Sequence, residues 1–180
     1  NYRRYQFAPH WSADTLADPQ RCRGLQATDF VVASKRSKIT GCVAVWDQQG
    51  FKQSVVRGYG KPMRWARPFV NAASRVAAVP YLPAVGNPIP HAYLSHLAVD
   101  HDDGPVAVAL VRYALDAVRT RGFAYLALGL MDRNPMLRPV RRAFRHIDYR
   151  AILYVVYWPD GAERAAELDD RVPHVEAATL

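Results

Sequence analysis

The sequence predicts an α/β domain, a central mixed β-sheet flanked by helices, and three observations carry that expectation. The stretch Ala92–Leu115 reads as an apolar strand, a sharp polar turn and the opening of a helix. Phe123–Leu130 is apolar throughout, the composition of a strand buried on both faces. Upstream, Asp29–Lys35 and Thr40–Asp47 read as two strands joined by the polar turn Arg36-Ser37-Lys38, a hairpin.

Taken in order, Asn1–Gln26 shows no clean period and is broken by Pro9, Pro19 and Gly24, so residues 1–28 read as an irregular N-terminal segment and residues 29–180 as the domain. Phe51–Gly60 either continues the sheet or forms a loop. Pro62–Ala78 has helical spacing, with Trp65, Phe69, Ala72, Ala73 and Val76 on one side. Val79–Pro90 holds Pro80, Pro83, Pro88 and Pro90 and reads as an extended loop.

Tyr93–Val99 is the next strand and Asp100–Gly104 a cluster of turn and cap residues. Pro105 suits a first helical turn, where its missing N–H costs nothing. Leu110, Val111, Ala114, Leu115 and Val118 then recur with a helical period, and Gly122 fits the residue after the helix. Asp132-Arg133-Asn134-Pro135 breaks the strand Phe123–Leu130, and a short helix starts at Pro139 with Val140, Ala143, Phe144 and Ile147 inward. Arg150–Trp158 is rich in β-formers and is stopped by Pro159 and Asp160. Glu163–Leu168 reads as a brief helix and His174–Leu180 as a last edge strand.

Bulk properties narrow the function classes. At 180 residues, half of them hydrophobic, the chain fits one domain with a sizeable core. No apolar run approaches the roughly 20 residues that cross a membrane. The sequence begins with Asn1 rather than Met and reads as a piece of a longer chain, while Cys22 and Cys42 lack metal-site spacing and suit a reduced, cytoplasmic setting. The net charge of +8 is carried mainly by arginine, with six arginines between Arg133 and Arg150. Such a cluster meets phosphates, acidic substrates or nucleic acid, or simply solvates a helix face; no helix-turn-helix or stacking-aromatic pattern favours nucleic acid.

A strand feeding a helix N-terminus leaves backbone N–H groups pointing out of the turn, a seat for an anion. The hairpin TGCVAVWD, the strand ending HLAV, the turn into a helix, a following strand ending near Asn134 and a short helix carrying Phe144 with Tyr149 five positions later together resemble the GNAT superfamily of acyl-CoA N-acyltransferases, over roughly Asp29–Trp158. The resemblance implies a GNAT-like mixed sheet and acetyl-CoA or another acyl-CoA as co-substrate. It implies that the strand Tyr93–Val99 splays from its neighbour, with backbone groups of Leu97 and Val99 on the pantetheine and acyl carbonyl. Asp102, Asp103, Gly104, Val106 and Ala107 would then lie along the pyrophosphate, and Asn134 at the cofactor.

The implied reaction is attack of an amine, on a small molecule or a peptide, on the thioester. The chain departs from the family in its pyrophosphate loop, where Asp102 and Asp103 stand and Pro105 replaces a glycine. Phe144 occupies the usual place of the tyrosine that protonates the thiolate, and a phenyl ring donates no proton. Tyr113, Tyr154 and His146 are the other acids nearby, and His96 is the candidate base, with Ser95 beside it and His91 at the strand entrance. Strand alternation sets Ser95 and His96 on opposite faces. His101-Asp102-Asp103 reads as a cap-rich loop rather than a metal corner. Trp65, Phe69, Tyr81 and Leu82 form an apolar wall for the acceptor or pack the insertion Lys61–Pro90 onto the sheet. The alternative to an enzyme is a catalytically degenerate GNAT-like domain with a binding or structural role, as a homodimer or beside a tandem partner domain.

Overall fold

In the computed structural model, which describes residues 2–77 and 79–180, the hairpin forms where the sequence places it. β1 (Phe30–Lys35) and β2 (Lys38–Trp46) pair antiparallel across a two-residue turn, Arg36 and Ser37, both at positive φ (51° and 63°). Two left-handed residues give the turn a twist that matches the flanking strands. β3 (His91–Val99) pairs antiparallel with β2, and β4 (Tyr125–Leu128) pairs parallel with β3. The order β1-β2-β3-β4 makes a four-stranded mixed open sheet. The parallel pair requires a crossover, supplied by the helix Gly104–Arg119.

The N-terminal segment contributes α1 (Ala13–Ala17), capped by Ser12 and Thr15, and α2 (Lys61–Ala73) follows the hairpin. The crossover helix, α3, is capped by the Asp103 carboxylate, which accepts from Val106 N at 3.2 Å, and Gly122 lies just beyond its end at φ 80°. α3 buries Ala107, Leu110, Val111, Ala114 and Val118 against Val43, Val45, Leu94, Leu97 and Val99 of the sheet. Its approach is close: a Cβ on Gly41 of β2 would stand 3.1 Å from Leu110 Cδ1 and 3.0 Å from the Ala98 carbonyl. A second core joins Trp46, Cys22 and Ala178 with Trp11, Leu16 and Leu25, so the N-terminal segment and the C-terminal residues share one apolar cluster. α4 (Leu137–Ala143) and α5 (Ala162–Ala166) complete the helices.

Several expectations are corrected. Arg150–Trp158 forms no strand: it is irregular and lies in solvent, with Tyr154 at 73 % and Trp158 at 82 % exposure. Residues with high β-propensity become a strand only where packing and a partner edge receive them. His174–Leu180 is likewise no strand; it turns inward, with a bridge at Gln6–Pro173 and a 3₁₀ turn at Ala177–Thr179. β4 is shorter than Phe123–Leu130 and only half-buried, because it is an edge strand.

α4 begins at Leu137, two residues before Pro139, since Asn134 Oδ1 takes the Met136 N–H at 2.9 Å and leaves Pro139 in the first turn. It ends before Ile147, which is exposed. α2 stops at Ala73, and Ala78 lies outside the described residues; Trp65 and Phe69 face solvent and do not pack the insertion onto the sheet. Phe51–Gly60 is a loop, with one bridge between Val55 and Pro88. Among the described residues no helix is long and apolar enough to cross a membrane.

Stability therefore rests on the α3–sheet contact and not on the aromatic-rich segment before Pro159. Leu110→Ala should cost about 3 kcal/mol in urea unfolding, by lost burial and a residual cavity, whereas Tyr154→Ala should fall within about 0.5 kcal/mol of the parent. Comparable losses for the two would contradict this placement of the core.

Candidate functional site

β3 carries one residue more than the strand it pairs with. Ala44 faces Ser95 and Cys42 faces Ala98, so two steps along β2 oppose three along β3. The extra residue is accommodated by His96, at φ 55° in the left-handed region. This bulge breaks the alternation expected from sequence. Ser95 Oγ and His96 Nδ1 do not diverge but meet at 2.9 Å. The imidazole is buried among Trp11, Phe30 and Trp46, with ring centroids at 4.4, 5.5 and 6.0 Å, and its Nε2 has no hydrogen-bond partner among the described residues. Burial, aided by His174, lowers its pKa to about 4. His96 is thus neutral near pH 7 and a weak proton acceptor, away from the opening described next.

That opening lies between β3 and β4. Their pairing covers His91–Leu94 against Tyr125–Leu128; past it β3 continues to Val99 while β4 stops. Tyr5 and the segment His174–Ala178 fill the gap, leaving a void of about 10 Å³ between Leu97, Leu130, Asn134 and these residues, the room of about one water. Glu176 Oε2 accepts the His96 backbone N–H at 2.7 Å, and its other oxygen accepts from Ala178 N at 3.4 Å. Burial raises the Glu176 carboxyl above its usual range and lowers His174 below its own. Gly129 at the end of β4 is required by this closure, because a Cβ there would stand 2.7 Å from Ala177 Cβ. The segment is further held by Gln48 Nε2 to the Ala178 carbonyl (2.8 Å) and His174 N to the Gln6 carbonyl (2.7 Å).

At the far end of β3 the turn Asp100–Asp102 leads into α3, with His101 and Asp102 both at φ 54°. Asp102 is compensated: its carboxylate meets Arg4 Nη1 at 3.0 Å and accepts the Tyr5 hydroxyl at 2.7 Å. Burial first, and Asp102 second, raise the Tyr5 pKa, so the phenol keeps its proton. Arg4 also reaches the Val99 carbonyl at 3.4 Å. Asp103 is spent on the helix cap. Gly104 lies under Pro139 (a Cβ would be 2.6 Å from Pro139 Cγ), Val106 is half-buried and Ala107 is in the core.

Of the residues singled out from sequence, Leu97 and Asn134 line the void, and Val99 and Asp102 lie at the adjoining turn bound to Arg4. Phe144 does not join them; it packs toward α3, with the Arg112 guanidinium 5.5 Å from its ring. Tyr113, Tyr149 and Tyr154 are exposed, Tyr149 at 94 %. His146 bonds the Phe144 carbonyl at 2.9 Å beside the Arg141–Asp148 ion pair, and His91 bonds the Ile89 carbonyl at 2.9 Å. Sequence reasoning missed Tyr5, His174 and Glu176. The available signal was Glu176 itself, a lone acid in the otherwise uncharged run Val175–Leu180, which a burial argument marks as needing partners.

No family model matches this chain, and no curated protein matches it.

The buried imidazole sets an acid limit. With its folded pKa lowered from 6.5 to about 4, His96 contributes stability above pH 6.5 that is lost as the pH falls toward 4, in all roughly 3 kcal/mol. Glu176 acts in the opposite sense, because its raised pKa favours the folded state at lower pH. The difference between parent and His96→Asn, which tolerates positive φ, isolates the imidazole. Unfolding free energies measured from pH 7 to 4 should converge for the two proteins; parallel curves would refute the assignment.

Proposed function

We propose that the protein is an acyl-CoA-dependent N-acyltransferase working in the cleft between β3 and β4. The observation that carries this reading is the backbone N–H of His96, displaced by the bulge, pointing into the gap where β3 and β4 part, and satisfied there by a carboxylate oxygen of Glu176 at 2.7 Å. A backbone donor fixed in a buried gap suits an acyl carbonyl, whose oxygen gains negative charge as an amine adds to the thioester. In that reaction a C–N bond forms, the C–S bond breaks, and a proton passes from nitrogen to sulfur. The chain's own Glu176 occupies the place of that oxygen.

A pantetheine arm does not fit the void of about 10 Å³, so the reading requires His174–Ala178 to withdraw. Withdrawal breaks the bonds of Glu176 to His96 N, His174 N to Gln6 and Gln48 to the Ala178 carbonyl, and parts the Tyr5–His174 ring contact and the packing of Ala178 on Trp46 and Cys22. The turn beyond Val99 is compatible with a pyrophosphate to the extent that Arg4 and Tyr5 offset the charge of Asp102.

A second reading, a degenerate domain with a binding or structural role, is favoured by the tyrosines: Tyr113, Tyr149 and Tyr154 stand in solvent, Phe144 faces α3 and Tyr5 is committed to Asp102.

Thermal shift with acetyl-CoA, longer acyl-CoAs and CoA separates the two. Ligand at 100 times Kd stabilises by about 2.7 kcal/mol, several degrees in a domain of this size. Glu176→Ala should bind acyl-CoA at least about tenfold more tightly than the parent, since no carboxylate then competes for the His96 N–H. Phe144→Tyr should leave turnover unchanged. Absence of a shift in both the parent and Glu176→Ala would overturn the enzyme reading in favour of the second.

A further inference from the structure

The geometry points to a second binding site, an open groove on α4 that takes a small amine carrying an acidic group, carboxylate or phosphate. The groove has a volume of about 350 Å³, and its lining includes Asp132, Asn134, Arg138, Arg141, Arg142 and His146. Arg138 and Arg142 are four residues apart on one helix, so their guanidinium groups share a face, and like charges at that spacing destabilise a helix. Neither side chain has a hydrogen bond or ion pair with another described residue, in contrast to Arg141, which meets Asp148 at 2.6 Å. Two exposed guanidinium groups over a concave surface match the planar, two-oxygen edge of a carboxylate or the face of a phosphate.

Asp132 gives the groove its second pole. It too is without a hydrogen bond or ion pair to another described residue, and it lines the same groove as the arginines. A polyanion gains nothing from a carboxylate in its path, whereas a zwitterion places its ammonium there and its acid on the arginines. The charge pattern therefore selects a small bipolar ligand over a nucleic-acid backbone.

Asn134 is the link to the cleft. It lines both the groove and the void between β3 and β4, and its Oδ1 is fixed by the Met136 N–H at 2.9 Å. As the acceptor of an acyl group, the bound amine rests on the reading given under Proposed function; the groove's affinity for a bipolar ligand does not.

Calorimetric titration of the full chain tests the site with β-alanine and phosphoethanolamine, with ethanolamine as the amine half of both, propionate as the acidic half of the first and inorganic phosphate as that of the second. A zwitterion should bind at least about tenfold more tightly than either half, and the preferred one of the pair identifies carboxylate or phosphate as the acidic group. Arg138→Gln with Arg142→Gln should lose about tenfold or more, Asp132→Asn should abolish the preference over the anionic half, and Arg57→Gln with Arg64→Gln, the same charge removed elsewhere, should match the parent. Equal binding by the groove variant and the control, no saturable binding of either zwitterion, or tight binding of duplex DNA that neither zwitterion displaces would each overturn the proposal. Acyl-CoA binding is measured separately: its failure with zwitterion binding retained removes the acyltransferase and leaves the groove, and the reverse result removes the groove alone.

Discussion

A single extra residue in β3 organises the parts of this protein that bear on function. A strand held in register by its neighbour has no room for an additional residue unless the backbone leaves the extended region, and His96 does so at φ 55°. Two consequences follow from that one dihedral. Ser95 and His96 come to the same side and bond each other. The His96 N–H leaves the ladder and needs another acceptor, which Glu176 supplies. The bulge lies just past the end of the β3–β4 pairing at Leu94–Leu128. A histidine in the left-handed region costs on the order of 1–3 kcal/mol, and the surrounding rings of Trp11, Phe30 and Trp46 hold it in place.

The polar groups gathered at this point share a common electrostatic logic. Burial disfavours charge on each of them, raising Glu176 and lowering His96 and His174. Among the described residues no cation is paired with Glu176 as Arg4 is with Asp102; its two oxygens accept from the backbone N–H groups of His96 and Ala178. A carboxylate so held is displaced at lower cost than one in a buried ion pair, because neither partner left behind is a bare charge. That difference sets the Glu176 contact apart from the Arg4–Asp102 contact, which joins two opposite charges.

What the sequence revealed divides along the range of the interactions involved. The hairpin, β3, α3 and the Gly122 terminus are set by residues close in the chain: turn residues at Arg36 and Ser37, the Asp103 cap, and the helical period from Leu110 to Val118. The bulge left no mark, since HLAV reads as well in regular alternation as around a left-handed histidine. Glu176 lies 80 residues from His96 in the chain and Tyr5 close to the opposite end, and no local pattern joins them to it. Arg150–Trp158 shows the opposite failure: strong local propensity without a tertiary partner, and hence no strand.

The turn after Val99 shows how the same long-range contacts alter a charge argument. Read alone, Asp102 and Asp103 set two negative charges where an anion would sit. In the folded chain they are no longer equivalent. Asp103 is bound to Val106 N as the cap of α3, where the helix dipole already favours it. Asp102 carries an arginine and a phenol from the first five residues of the chain, and its left-handed backbone turns the carboxylate toward them. The local field at the turn is therefore set by the N-terminal segment as much as by the turn itself. Any anion that approaches α3 meets the Arg4 guanidinium together with Asp102, so the repulsion read from the linear sequence is offset by a charge that the fold brings from 98 residues away.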